Sequence, residues 1–70
     1  MSFDSFITFL PTQNLAQTAQ FYEEVLKLRL ALDQTRCRIY RVVQGGFLGF
    51  CLKDEIKPHE GVILTLVTEE

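Results

Sequence analysis

Histidine is nearly absent from this chain of 70 residues, with one at position 59, and cysteine is scarce, with two at positions 37 and 51. A lone imidazole with no second donor nearby is a poor metal ligand, so His59, beside Glu60, reads as a solvated loop residue. Glu55 and Glu60 share that polar stretch, which lacks the apolar cover needed to tune a carboxylate for acid–base work. Two cysteines are too few for a disulfide scaffold. They allow one bridge; the plainer reading is two reduced, half-buried thiols in a cytosolic protein. No apolar run nears the roughly 18 residues of a membrane span. Met1-Ser2-Phe3-Asp4 has no basic stretch ahead of an apolar one, so no secretion signal is expected. Positive charge is not in excess either. Seven Lys plus Arg stand against nine Asp plus Glu, for a formal net charge of -2. That balance argues against nucleic acid as a partner. The expected setting is the cytoplasm, with no membrane partner.

What is present reads as one small α+β domain. Apolar residues make up 47% of the chain and charged residues 23%, an ordinary globular balance. A domain of this size buries only about 60% of its unfolded surface, so its core is thin. Phe6 to Thr12 is short, aromatic and β-branched, and predicts a strand that ends near Pro11, which cannot donate to a ladder. Asn14 then opens a helix, with Gln17 placed three positions on as its capping partner. Leu15, Ala19, Tyr22 and Leu26 form an apolar stripe over roughly three to four turns. Glu23 and Lys27 stand four apart as a favourable pair. Leu28, Leu30 and Leu32 alternate with Arg29 and Ala31, the period of a half-buried strand. Cys37, Ile39, Arg41 and Val43 fall on one face of the next strand, with Arg38, Tyr40 and Val42 on the other. Gln44-Gly45-Gly46 signals a hairpin. Leu48, Phe50 and Leu52 then alternate with Phe47, Gly49 and Cys51. Residues 6 to 52 therefore spell β-α-β-β-β. Lys53 to Gly61 is polar and reads as a linker. Val62 to Thr68 reads as one more strand, whose pattern from Ile63 to Glu70 repeats that of Ile7 to Asn14.

The stretch N-L-x-x-T-x-x-F-Y-x-x-V-L-x-L, from Asn14 to Leu28, resembles the vicinal oxygen chelate superfamily, which takes in glyoxalase I, bleomycin and fosfomycin resistance proteins and extradiol dioxygenases. The helix signature of that group is D-L-x-x-S-x-x-F-Y-x-x-x-L-G-hydrophobic. Phe21, Tyr22 and Leu26 match it, while Asn14, Thr18 and Lys27 replace its Asp, Ser and Gly. The run Gly45-Gly46-Phe47-Leu48-Gly49-Phe50 is similar to its fourth strand. The resemblance implies a βαβββ half domain with a curved mixed sheet packed on one helix. It divides the chain into a module over 1–53, a linker over 54–61, and the first strand of a second, truncated module over 62–70. Two modules make a cleft in that family. A second copy of the chain is the obvious source of the missing half, so a homodimer is expected.

The resemblance also implies where a metal would be held, by His, Gln or Glu on a first strand and Glu late in a fourth. Those positions fall on Ile7, Gly49 and, in the repeated strand, Ile63, none of which can ligate. No cofactor is expected. The concave face is expected to carry Ile7, Phe9, Phe47 and Cys51, with Ile63 and Thr65 from the last strand. Leu10, Leu30, Leu48, Phe50 and Leu52 should meet the helix. Arg41 stands out on the otherwise apolar face. It is placed to hold a carboxylate or phosphate, unless it is an edge-strand Arg whose stem covers apolar surface. The candidate ligand-binding residues are thus Ile7, Phe9, Arg41, Phe47 and Cys51. They point to a metal-free module that binds a small hydrophobic or aromatic molecule in a dimer cleft. Two alternatives stand beside it: a structural or interaction remnant that binds nothing small, and a fragment of a longer metal-dependent lyase or dioxygenase.

Overall fold

The structure, a computed structural model, describes residues 2–54 and 64–68. The expectations placed on His59, Glu55, Glu60 and Ile63 lie outside the described residues.

Strand β1 (Phe6–Thr12) leads into helix α1 (Leu15–Gln20) and a π-helical turn over Phe21–Val25; β2 (Arg29–Gln34), β3 (Cys37–Val43) and β4 (Gly46–Leu52) follow. The four strands form one curved mixed sheet in the order β1-β4-β3-β2. β1 runs parallel to β4, and the other two pairings are antiparallel. This is the βαβββ half domain expected from the sequence, with one amphipathic helix on one face.

The helix begins where its side-chain chemistry places it. Asn14 has an extended backbone, and its Oδ1 accepts from the Gln17 N–H at 3.0 Å. The Thr12 hydroxyl accepts from the Asn14 N–H at 3.2 Å and lies 2.8 Å from the Thr18 hydroxyl. The end of β1 is thereby tied to the first turns of α1. The helix ends by widening. Leu26 N–H reaches back to the Phe21 carbonyl, and Leu28 N–H to that of Tyr22. The second bond needs a left-handed residue just before it, and Lys27 supplies it with φ 60.

The core lies between the helix and the sheet. Ala19, Tyr40, Leu48 and Phe50 are buried there, with Leu10, Leu15, Tyr22, Leu28 and Val42 packed around them. The Tyr22 ring sits 4.5 Å from that of Phe50, centre to centre. Such aromatic pairs add about 0.5–1.5 kcal/mol beyond the area they bury. Leu26, counted in the apolar stripe, is 37% exposed, because the widened turn rotates it off the sheet. Glu23 does not pair with Lys27. It accepts a 2.8 Å hydrogen bond from the Tyr40 hydroxyl and lies 3.8 Å from Arg38.

Two irregularities change the face assignments. Between Leu30 and Leu32 the β2–β3 register shifts, so Leu30 opposes Tyr40 while Leu32 opposes Ile39. Leu32 therefore leaves the side of Leu30. A second shift between Arg41 and Val43 sets Val43 against Gly46 and turns it to the helix side. Residues 64–68 lie outside the sheet. Leu64 borders a shallow concavity with Leu10, Tyr22 and Phe50, and Thr65 to Thr68 border another with Leu26, Leu28, Val42 and Val43. Thr65, expected on the concave face, is thus on the helix side. Val62 to Thr68 was expected to be a strand, but over 64–68 the chain joins neither edge strand, β1 nor β2.

Candidate functional site

The face of the sheet away from the helix is built of three cross-strand rows. Pairing puts partners on the same face, so the register reads directly as a surface. The first row is Ile7, Phe47, Arg41 and Arg29. The second is Phe9, Gly49, Ile39 and Leu32. The third is Pro11, Cys51, Cys37 and Gln34. All five residues singled out from the sequence (Ile7, Phe9, Arg41, Phe47 and Cys51) share this face. Arg29, Ile39 and Leu32 join them. Of these, Arg29 and Leu32 were not legible as neighbours, because the bulge near Ala31 sets the register that delivers them.

The floor is apolar and open. Phe9 is 53% exposed, Leu32 47% and Ile7 41%. Ile39, in the middle, is buried. The Phe9 ring lies against Gly49. A Cβ built on Gly49 would meet the Phe9 ring carbons Cδ1 and Cε1 at 2.5 Å. The glycine thus leaves the room that the aromatic ring fills.

That contact bears directly on metal binding. Of the positions where the sequence resemblance placed metal ligands, Ile7 carries a hydrocarbon side chain, and the side-chain space of Gly49 holds the Phe9 ring. Among the described residues no group of three or more His, Cys, Asp or Glu could hold a metal ion. Neither Ile7 nor Gly49 offers a donor atom from its side chain to a metal ion.

Cys51 and Cys37 are not free thiols. They form a disulfide, with their Cα atoms 4.0 Å apart. Leu52 N–H donates to the Arg36 carbonyl, which makes the cysteine pair a non-hydrogen-bonded one, where facing side chains stand closest. This corrects the reading of two reduced thiols, and it removes the support those thiols lent to a cytosolic setting. Among the described residues no helix is long and apolar enough to cross a membrane.

Arg41 is exposed, and it is not on an edge. β3 lies between β4 and β2, so the edge-strand explanation for an Arg at this position does not apply. Its cross-strand neighbour is a second arginine, Arg29. Arg38 lies on the other face, near Glu23 and 3.7 Å from Asp33. Phe47 and Phe50 also lie on opposite faces.

On the helix side, the Tyr40 hydroxyl is buried in the core. Burial, and then its hydrogen bond to Glu23, push the phenol up to about 12. Its place in the core makes it a structural anchor. It holds the π-helical turn against β3.

Compared with protein families, curated proteins and solved structures, the chain has no match. The functional reading therefore rests on the residues and their arrangement.

Proposed function

We propose that the chain is a metal-free binding module of the vicinal oxygen chelate type, akin to the bleomycin resistance proteins. Two copies turn their open faces toward each other and enclose a small hydrophobic or aromatic molecule. The carrying observation is the floor of exposed Ile7, Phe9 and Leu32 and half-buried Phe47 on the face opposite the helix, with hydrocarbon and glycine where the resemblance places metal donors. Among the described residues no second layer covers that floor, and apolar patches of this kind mark binding surfaces. In this reading Ile7, Phe9, Arg41 and Phe47 line the ligand, and the Cys37–Cys51 bridge closes one end of the site.

The helix supports the family assignment. Thr18, in place of the usual Ser, bonds to the end of β1, and Lys27, in place of the usual Gly, takes the left-handed conformation that a Gly favours. Residues 1–53 form the module of this proposal, 54–61 the linker, and 62–70 the opening of a second module.

The test is a titration of small aromatic molecules into isotope-labelled protein, followed by amide chemical shifts. Saturable shifts at Phe9, Ile39 and Phe47 are expected. Shifts confined to the helix side, or none, would overturn the reading in favour of an interaction unit without a small ligand.

A further inference from the structure

Arg29 and Arg41 oppose each other on the open face, both exposed, at the end of the row that starts with Ile7 and Phe47. Like charges directly opposite on a sheet repel. Among the described residues both ion pairs belong to Arg38 on the other face, so no carboxylate there answers this pair within 4.0 Å. Among the described residues, two guanidinium groups without a carboxylate partner therefore stand beside an aromatic and aliphatic floor. We infer that this pair is an anion site, and that the molecule held on the open face is an organic anion: an aromatic or aliphatic body on Ile7, Phe9 and Phe47, with a carboxylate or phosphate between Arg29 and Arg41.

The chemistry favours this class on two counts. A guanidinium fork offers parallel N–H donors that match carboxylate and phosphate oxygens. An anion between two forks also removes the repulsion that the unliganded sheet carries, so binding and relief act together. An uncharged aromatic gains the floor alone. The inference rests on the open face being the ligand surface, and the experiment separates the two claims.

The probes are 2-naphthoate and its uncharged counterpart 2-naphthalenemethanol, each followed by amide shifts on the wild type, R29Q and R41Q. Naphthoate should bind about tenfold more tightly than the alcohol, as expected for charge-assisted hydrogen bonds. Each variant should weaken naphthoate about three- to tenfold, and clearly more than it weakens the alcohol. Without ligand, each variant should melt about 1–4 °C higher, because the repulsion is gone. Equal affinity for acid and alcohol on the open face would overturn the anion site and leave the binding surface standing. So would naphthoate binding that ignores both substitutions. Absence of both probes from the face would overturn both claims. Exposed Arg to Gln changes should leave the fold intact, and the melting curves report it directly.

Discussion

Lys27 sits in a left-handed conformation that costs a residue with a side chain about 1–2 kcal/mol. Lys27→Gly removes that cost and gives up a small favourable interaction of the ammonium with the helix C-terminus. The variant should be more stable by about 1 kcal/mol, read as a higher urea midpoint at unchanged slope. Tyr40 governs a second expectation. Its phenol is raised in the folded state, from an ordinary 10.0 to about 12, by burial and then by Glu23. A raised acid contributes fully while pH is below the unfolded value and loses its contribution as pH climbs through the folded one. Stability should therefore fall between about pH 10 and pH 12. Tyr40→Phe should flatten that step in alkaline melting curves. At neutral pH it should cost about 1 kcal/mol for the lost bond to Glu23. At this scale the sequence is legible where the signal is local. Asn14 caps the helix through a bond to a residue three positions away, as its type and position predict. Glu23 meets Tyr40 and Arg38 across 17 and 15 residues, and no local rule anticipates that.

The strands show the same divide. Alternation assigned Cys37, Ile39 and Arg41 to one face of β3, and Phe47, Gly49 and Cys51 to one face of β4, and both assignments hold. The bridge was hidden by register. A hairpin closed at Val43 and Gly46 and kept regular would set Cys37 against Leu52. The shift between Arg41 and Val43 moves it by one place and brings Cys51 opposite. The same kind of shift in β2 brings Leu32 to the open face. Bulges leave little trace in a hydrophobic pattern, because each rotates a strand by a single residue. The bridge joins residues 14 apart and restrains β3 against β4 in the unfolded chain as well as the folded one. Cys37→Ser with Cys51→Ser should lower unfolding free energy by about 2–4 kcal/mol. Denaturant titration of the variant beside the oxidised protein measures it. An unchanged midpoint would show that the bridge plays no part in stability.

At the scale of the whole molecule, the described residues form one sheet with a helix on one side and an open apolar face on the other. A domain this small draws little stability from its core alone, so a staple and a covering layer both matter. The disulfide is the staple. The covering layer is proposed to be a second copy with a ligand between. The architecture was legible in the sequence because βαβββ order, caps and turns are all written locally. What the face binds was legible only in part, because Arg29 reaches Arg41 through pairing that the residue pattern does not encode. The most direct measurement is solution mass by light scattering across protein concentration, for the wild type and for Ile7→Glu, which puts a charge on the open face. The account predicts a wild-type dimer near twice 8.1 kDa, and a monomer for Ile7→Glu with an unchanged far-ultraviolet circular dichroism spectrum. A wild type that stays monomeric at every concentration, or a dimer indifferent to the charge at Ile7, would contradict it.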